Sequence, residues 1–514
     1  MTNQLIKSEQ FDFSGGINTS LGQLLTPPES AYKLQNAETS YGGLRKIGGS
    51  SRLNATKIGD FSITSLYRAY VGDYSMLLAS AGTSMYWWRT SDSSWQVVTG
   101  MTGLSAGMPW SFTTYNTKVY ATNGYNTPAK ITISDVPDAG AMTAPTNRCK
   151  QFIVHNEKLW AAVNATNPDQ VYYCSSGTDG IGLPETWAVS DYWAFPNEST
   201  DERVTGIASY KKTLLGFTHN TITMLYGNTT AEFDTLPIET NIGCQNYRTI
   251  KNFDNGVMFM GKDGIYYCDG QRAYRITDDI RNEIDDINQT YWSNCHAVTD
   301  QHAYYFFYTS TASSATVNDK MLIFDTRIGD TIKGVIKGAW TGAHSISAGS
   351  AVFFGGGTDN AELYYGDSGA TGFVHKFMDT TQTSFSASAN IDMDVETRDF
   401  SFRELGGLEF TKTFEELIVI AEPEGDYDIT VQYKIDNDTY WTTLGTVNLA
   451  AVGKQEGDRN DTSATRTLIT HPLKFNQSTS GKMIRFRLRQ NGTGCQCKIK
   501  GIVINCSRSL PDRR

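Results

Sequence analysis

Carboxylates are the first residues to consider for chemistry, because cleavage of a glycosidic bond needs two of them held close together. Four aspartates could line one face of a folded domain: Asp60, Asp179, Asp191 and Asp263. Their spacing along the chain pairs no two of them, and general acid/base work needs two groups placed together. The sequence therefore predicts no catalytic residue, and we expect the protein not to be an enzyme.

Histidines and cysteines show no metal-ligand pattern either. His296 and His302 are the closest pair of the seven histidines, and their separation does not match the HExxH pattern. Cys495 and Cys497 lack the second pair that a zinc site of this kind needs. The eight cysteines are better interpreted as reduced and buried. We predict no metal and no cofactor.

Composition favours an all-β protein. Among the 514 residues, Gly (47), Tyr (27), Phe (24) and Trp (10) are abundant, which is typical of short strands joined by tight turns. The net charge of −10 disfavours a protein that wraps nucleic acid. It suits the lining of a channel through which DNA slides, because an acidic surface repels phosphate. The first residues, MTNQLIKSEQ, lack the apolar region of a signal peptide, and no stretch approaches the ~18 apolar residues of a membrane span.

A repeated pattern of short alternating strands and turns occupies the middle of the chain. Seven units begin roughly every 40 to 55 residues, which is the spacing of propeller blades. The units are Ile63–Trp88, Pro109–Ile131, Gln151–Cys174, Val204–Gly227, Tyr247–Gly270, Asn294–Thr326 and Ser345–Asp367. We predict a β-propeller of about seven blades over residues 56–384. Six or eight blades, or unrelated hairpins in a sandwich, remain alternatives.

The last part of the chain, residues 385–514, is predicted to be a β-sandwich. Alternating strands include MIRFRLRQ, in which Arg485, Arg487 and Arg489 lie opposite the apolar side chains. These arginines could dock an acidic partner surface, or they could form a solvated strand face. A polar loop is expected at 453–461.

Residues 1–55 are predicted to form an extended arm with a short helix at about 27–37. Thr26 is a suitable N-cap, Pro27 suits the first helical position, and Glu29 occupies the capping-box position. The residues proposed to carry assembly are Phe11 and Phe13 as anchors, Gly15 and Gly16 as a chain reversal, and Pro27 and Pro28.

This opening stretch resembles the N-terminal signature of a group of tailed-phage virion proteins. The matching residues are Phe13, Ser14, Gly15, Gly16, Asn18, Thr19, Pro27, Pro28, Asn36, Gly43, Leu44 and Arg45. The likeness continues through NPDQVYYC, VTGIASY, DNGVMFMGKDGIYY, the 325–340 stretch and FEELIV, so it spans most of the chain.

The resemblance implies a β-propeller protein of the tail nozzle or head-to-tail connector of short-tailed phages. Such a subunit is a structural part of the virion tail, is made in the host cytoplasm and assembles as a homo-hexameric ring. Its expected partners are the portal adaptor, other tail proteins and genomic DNA, which passes through the lumen without specific binding. Lumen-facing carboxylates are expected to keep DNA from sticking.

The alternative function is a propeller that binds or cleaves host glycans during attachment. Tyr86, Trp87 and Trp88 are consecutive aromatics that could stack on sugars. TSDSSW and GTDGIGLPETW resemble the Asp-box turns of sialidase-type propellers, although the spacing does not match. A secreted bacterial binding propeller is a third option, against which the missing signal peptide counts.

Overall fold

The computed structural model describes residues 6–40, 42–145, 147–195, 202–229, 231–312, 314–355, 361–379, 384–385, 389–403, 407–423, 427–450, 468–476, 478–492 and 497–508. The predicted polar loop lies outside these residues, as does Cys495. The fold is all-β, as predicted. No helix among the described residues is long and apolar enough to cross a bilayer.

The first fifty residues form short strands that belong to several different sheets. They are β1 (Ile6–Gln10), β2 (Gly16–Ile17), β3 (Ser30–Ala31), β4 (Lys33–Gln35), β5 (Ala37–Ser40), β6 (Gly43–Lys46) and β7 (Gly49–Arg52). β2 and β3 pair with each other in parallel, and the other five join the sheets of the rest of the chain.

The next twenty strands form five antiparallel four-stranded sheets in chain order. The first blade has β8 (Ile63–Val71), β9 (Tyr74–Ala81), β10 (Ser84–Arg89) and β11 (Ser94–Val97). The second has β12 (Ser111–Tyr115), β13 (Lys118–Thr122), β14 (Ala129–Thr132) and β15 (Asp138–Ala141). The third has β16 (Cys149–His155), β17 (Lys158–Asn164), β18 (Gln170–Tyr173) and β19 (Tyr192–Ala194). The fourth has β20 (Gly206–Tyr210), β21 (Thr213–Phe217), β22 (Ile222–Tyr226) and β23 (Asp234–Glu239). The fifth has β24 (Lys251–Phe253), β25 (Gly256–Met260), β26 (Ile265–Cys268) and β27 (Ala273–Arg275).

A short helical region follows the fifth blade and leads into a much larger sheet. This region contains α1 (Arg281–Asp285) and a 3-10 turn at Gln289–Asn294. Two further 3-10 turns lie elsewhere, at Tyr247–Thr249 before the fifth blade and at Gly407–Glu409 after β37. The nine-stranded sheet begins with β28 (His296–Thr299), β29 (Ala303–Tyr308), β30 (Lys320–Ile332) and β31 (Ile336–His344). The sixth separate blade has β32 (Ala348–Phe354), β33 (Glu362–Asp367) and β34 (Val374–Asp379), and β7 supplies its fourth strand.

The remaining strands are β35 (Ser384–Phe385), β36 (Ala389–Asn390), β37 (Met393–Glu396), β38 (Lys412–Ala421), β39 (Asp428–Ile435), β40 (Thr442–Asn448), β41 (Ile469–Lys474), β42 (Ser480–Gly481), β43 (Ile484–Gln490) and β44 (Lys498–Arg508). β35 and β36 pair with each other. The nine-stranded sheet continues from β31 through β4, β37, β43 and β39 to β40. A seven-stranded sheet has the order β41-β38-β44-β6-β5, with β1 beside β44 and β42 beside β38.

The blades form a β-propeller arrangement of six separate four-stranded sheets, rather than about seven. The predicted sixth unit, Asn294–Thr326, is not a separate sheet, because β31 continues through β4 into the C-terminal strands. β28 nevertheless contacts β24 on one side and β32 on the other, so this unit lies between the fifth and sixth blades. The count of about seven holds only if the start of the nine-stranded sheet is counted as a blade.

Turn chemistry and interblade cores explain why these residues form blades. The connections at Tyr210–Thr213 and Phe253–Gly256 are tight two-residue hairpins, with Lys211 and Asp254 at positive φ. Apolar side chains of neighbouring blades meet between the sheets. For example, the rings of Phe217 and Phe259, from the fourth and fifth blades, are 5.1 Å apart. Each sheet therefore covers a face that it cannot bury alone.

The predicted helix at 27–37 is wrong. Residues Ser30–Ala31 and Lys33–Gln35 are strands, and the backbone N–H of Tyr32 donates to the Glu396 carbonyl at 2.9 Å. A helix this short is marginal in water, so pairing with two neighbouring strands outweighs the favourable cap. The Thr26 hydroxyl, expected to cap the helix, is buried and has no hydrogen-bond partner in the described part of the chain.

Gly16 is the clearest backbone constraint in the N-terminal segment. Its φ is +66°, and a Cβ there would overlap the Trp340 carbonyl oxygen. We expect Gly16→Ala to lower the free energy of unfolding by about 2–4 kcal/mol, since strain and overlap add. Chemical denaturation measures this.

Gly22→Ala is the matched control, because a Cβ at Gly22 meets nothing within 4 Å. We expect it to change stability by less than about 0.5 kcal/mol. Equal stability of the two variants would contradict the close contact at Gly16.

Candidate functional site

The centre of the propeller is a channel lined by the first strand of each blade and by β28. It forms a cavity of about 540 Å³. Its walls combine small hydroxyl side chains, such as Ser65 and Ser111, with aromatic rings. Tyr67 and Phe112 stack there with ring centroids 5.2 Å apart. A pocket of this size and mixed polarity is typical of a site for a small molecule.

Arg248 closes one end of this channel. Its Nη2 donates hydrogen bonds to the carbonyl oxygens of Thr64 (3.2 Å) and Gly349 (2.7 Å), which lie in β8 and β32. The side chain therefore reaches from the start of the fifth blade to the wall formed by the first and sixth blades. Beyond it lies a second cavity of about 710 Å³, here called the mouth, which Arg248 also lines.

Asn246 explains why Arg248 is held in this position. Its side-chain oxygen accepts from the backbone N–H of Arg248 at 3.0 Å and caps the 3-10 turn. Its amide nitrogen donates to the carbonyls of Trp292, Ser293 and Cys295 at 2.8–3.0 Å. One buried amide thus fixes the turn before β24 to the segment before β28.

Lys251 is the next cation along the channel. It lines the cavity at the start of β24 and forms no ion pair among the described residues. Burial, together with the smaller effect of the nearby Arg248 guanidinium, lowers the pKa of Lys251 to about 8. An ammonium group without a carboxylate partner in a partly dry site destabilises the fold.

His296, on the neighbouring strand β28, is the third polar group of the site. Burial and the Arg248 charge hold the pKa of His296 well below 6.5, so the ring is neutral at pH 7. Asn318 Nδ2 lies 3.2 Å from Nδ1 and also donates to two backbone carbonyls, while the Thr309 hydroxyl donates to the Asn318 oxygen. Both hydrogens of the Asn318 amide have a carbonyl acceptor, and Nδ1 itself lies 3.3 Å from the Asn294 carbonyl oxygen, to which a proton on Nδ1 can donate. Nε2 is buried and has no hydrogen-bond partner among the described residues.

No carboxylate lines the channel or the mouth among the described residues. The mouth adds three basic side chains, Lys150, Arg203 and His219. A protein with a net charge of −10 therefore has a locally cationic centre. Such a lining suits an anion, and it lacks the acid/base pair that glycoside hydrolysis needs.

The four aspartates singled out in the sequence are not brought together. Asp60 pairs with Lys57, and Asp179 accepts from the Ile181 backbone. Asp191 accepts from the Ser175 hydroxyl. Asp263 pairs with Arg275 at 2.6 Å and accepts from the Tyr266 hydroxyl at 2.6 Å. Each of them holds a local turn or strand end.

The proposed assembly residues lie in different environments. Phe13 is buried, whereas Phe11 is partly exposed beside Gly501. Gly15 and Gly16 pack closely against neighbouring chain segments. Pro27 is half-buried, and Pro28 is exposed.

The three proposed docking arginines pair with acidic residues of this chain. Arg487 hydrogen-bonds Asp394, with Nε to Oδ1 at 2.6 Å, and Arg489 pairs with Asp392 at 2.9 Å. Arg485 lies 3.5 Å from Asp399. The ion pairs form cross-strand contacts between β43 and the segment that contains β37, so much of this positive charge is neutralised within the chain.

No group of three metal-ligating side chains occurs among the residues that the structure describes. The seven cysteines among those residues are buried, and the six other than Cys497 are free. Sequence reasoning missed Arg248, Lys251 and His296. A usable signal was present, since residues 241–252 contain two cations and no acidic residue.

Three crystal structures align with the chain at low sequence identity. The designed protein Ika8 is 12% identical over 64% of this chain and 99% of its own, with a TM-score of 0.36. Sqt1 of Saccharomyces cerevisiae is 8% identical over 64% of this chain and 99% of its own, with a TM-score of 0.38. An exo-β-1,3-galactanase from Phanerochaete chrysosporium is 8% identical over 79% of this chain and 98% of its own, with a TM-score of 0.26. These scores carry no information on ligand or activity. No protein-family model and no curated protein sequence matches the chain.

Substitution of Asp394 tests how much the ion pairs along β37 contribute to the free energy of unfolding. Burial would raise the pKa of Asp394, but hydrogen bonds from Arg487 and Lys33 outweigh it and hold the pKa below 3.8. We expect Asp394→Asn to cost about 1–3 kcal/mol at pH 7, because two cations lose their partner. The more exposed Asp392→Asn should cost less than about 1 kcal/mol.

The effect of Asp394→Asn should depend on pH. A carboxyl with a lowered folded pKa stabilises the fold above pH 3.8 and loses this contribution as the pH falls through the folded value. Denaturation of wild type and variant should therefore converge in acid. A difference that persists unchanged to low pH would contradict the ion-pair assignment.

Lys251→Met should stabilise the protein at pH 7 in a phosphate-free buffer. Removing the unpaired ammonium should gain about 1–3 kcal/mol. The pKa of Lys251 is about 8 in the folded chain and about 10.5 when unfolded, so the unfolded chain binds more protons between these values. The free energy of unfolding of the wild type should therefore rise between pH 8 and pH 10.5. The stability difference between Lys251→Met and the wild type should shrink over the same range and disappear near pH 10.5.

Lys262→Met is the matched control, since Lys262 lies exposed in a turn of the same blade. It should leave the pH dependence unchanged. Destabilisation by Lys251→Met at pH 7 would show that the ammonium has a partner and would contradict the assignment.

Proposed function

We propose that the protein is a structural subunit of a bacteriophage tail, of the nozzle or head-to-tail connector type. The observation that carries this proposal is the position of the residues that resemble the virion-protein signature. They lie at the junction between the propeller and the C-terminal sheets. Residues buried at such a junction stabilise the fold, which suits a structural protein better than an enzyme.

Asn36 illustrates this structural use of the signature. Its Nδ2 donates to the Asp392 carbonyl at 2.9 Å, and its Oδ1 accepts from the Ser345 backbone at 2.8 Å. Asn36 has a φ of +52°, a conformation that asparagine tolerates better than most residues. Asn18 and Thr19, also in the signature, hydrogen-bond Asp279 and Glu283 before and within α1.

The proposal includes a C-terminal β-sandwich and an N-terminal arm. Two C-terminal sheets share one apolar core, in which Val431 and Leu488 of one sheet belong to the same cluster as Val419 and Ile504 of the other. This shared core supports a sandwich. The arm would be residues 6–52, laid along the sheets as separate short strands instead of protruding.

The channel of a single propeller is not the proposed path for DNA. Arg248 closes it at one end, and its lining is cationic. DNA would instead pass through the lumen of a closed ring of subunits, six in number as the resemblance implies. The acidic net charge of −10 suits a lumen that does not hold phosphate.

In this role the protein retains packaged DNA, docks onto the portal adaptor and neighbouring tail proteins, and conducts DNA during ejection. The proposed location is the virion tail. The docking surface would not rely mainly on Arg485 and Arg487, because these side chains pair within the chain.

Glycan binding is the second candidate, and one feature of the mouth favours it. Tyr125 is partly exposed there beside the amide side chains of Asn123 and Asn164, and an aromatic face with amides suits a sugar. The proposed aromatic run does not contribute, since Trp87 and Trp88 are buried in the first blade. Glycan cleavage is disfavoured because the mouth has no carboxylate in its described lining.

Electron microscopy of intact virions, together with the purified chain, tests the proposal. We expect the chain to form closed rings and to match a ring on the tail axis below the portal. Density only at the periphery of the tail, or absence from virions, would contradict it and would favour the glycan-binding alternative. Loss of glycan binding on Tyr125→Ala would then support that alternative.

A further inference from the structure

We infer that the mouth is a binding site for an acidic sugar, a pyranose ring that carries a carboxylate, as in uronic and sialic acids. The sugar ring would rest against Tyr125, and its carboxylate would pair with the cations of the wall. This inference rests on the glycan-binding candidate above, whose ligand class it names, and it is independent of the tail function.

Positive charge lies on one side of the mouth. Lys150 at the start of the third blade, Arg203 before the fourth and Arg248 before the fifth come from three successive blades. The rest of the described wall, from β28 through the sixth blade to the second, is neutral. It carries hydroxyl side chains such as Ser62, Ser293 and Thr316. Such a lining suits a ligand that has an anionic group on one side and hydroxyl groups on the other.

The three cations have charged donors to offer. Lys150, Arg203 and Arg248 form no ion pair among the described residues. Arg203 is exposed, and Lys150 is half-buried. Arg248 uses Nη2 for two backbone carbonyls, whereas its Nε and Nη1 are accessible and have no hydrogen-bond partner in the described part of the chain. A carboxylate in the cavity would accept charge-assisted hydrogen bonds from these groups.

Tyr125 supplies an aromatic surface at the edge of the cationic side. It is 45% exposed, although its backbone is held on both sides. Its N–H donates to Asn123 Oδ1 at 3.0 Å, and its carbonyl accepts from the Arg148 guanidinium. The Lys150 Nζ lies 5.8 Å from the ring centroid. A sugar against this ring would therefore have an ammonium group beside its carboxylate, and the fixed loop would lose little entropy on binding.

An acceptor for sugar hydroxyls lies in the same cavity. Gln245 Nε2 donates to the His219 carbonyl at 3.1 Å, so Gln245 Oε1 accepts from His219 Nδ1 at 3.0 Å. The neutral imidazole then presents Nε2 as an acceptor toward the mouth.

The shape of the cavity selects the end of a glycan. Arg248 closes the floor of the mouth, whose volume is about 710 Å³. A cavity that is closed at one end admits a terminal sugar more readily than the middle of a chain.

Ligand-observed NMR titration of the full chain at pH 7 and constant ionic strength tests this site. The probes are the methyl glycosides of glucuronic, galacturonic and N-acetylneuraminic acids. Each is paired with its methyl ester, which keeps the ring and removes the charge. We expect at least one acid to bind with a dissociation constant of about 10 mM or lower, and its ester to bind at least about fivefold more weakly.

Arg203→Gln tests the cationic side, since an exposed side chain can be replaced without unfolding the chain. We expect about threefold to tenfold weaker binding of the acid and unchanged binding of the ester. Lys212→Gln is the matched control, because Lys212 is exposed in the turn between β20 and β21, at the other end of the same blade. It should bind the acid as tightly as wild type.

Equal binding of acids and esters would overturn this inference and leave the glycan-binding candidate standing. Binding of none of the sugars at about 50 mM would overturn both. Binding of a tetraglutamate peptide but of no sugar would also overturn it and would assign the mouth to an acidic protein segment. Wild-type affinity for the acid in both Arg203→Gln and Lys150→Gln would contradict the role of the cationic side.

Discussion

The hydrogen bonding of β4 on both edges is the constraint on which the rest of the structure depends. Leu34 pairs with Gly342 of β31 on one side and with Val395 of β37 on the other. Three residues thereby join a blade-like unit to the C-terminal strands as one sheet. β7, later in the same N-terminal segment, supplies the outermost strand of the sixth blade, where Ser50 pairs with Phe377. The N-terminal segment therefore closes the propeller and attaches the C-terminal sheets at the same time.

Closure of the ring creates the candidate site. Arg248 reaches Thr64 and Gly349 only because the blades bring the fifth, sixth and first units around a common axis. The interblade cores supply the stability that tolerates two polar groups without a partner among the described residues, the Lys251 ammonium and the His296 Nε2. Native proteins seldom keep such unsatisfied groups.

Much of the propeller could be predicted from the sequence, because its determinants are local. Alternating strands and turns such as Asp254-Asn255 set the blade pattern within a few residues. The predictions that missed the structure concern residues whose contact partners are distant in sequence. The helix signal at Thr26–Glu29 is locally sound, but β37, more than 350 residues later, converts this segment into strands. The sequence around Arg487 suggested a docking surface, whereas in the fold Arg487 forms an ion pair with Asp394, its diagonal neighbour on the adjacent strand β37.

Amide hydrogen exchange measured by mass spectrometry tests the closing role of the N-terminal segment most directly. If β4 and β7 hold the two parts together, their amides should open with the same free energy as those of β37 and β34, in one cooperative step. Protection of residues 33–35 and 49–52 should then equal that of their partners. Rapid exchange of these two strands while the blades and the C-terminal sheets stay protected would contradict the account, because it would show that the fold persists without them.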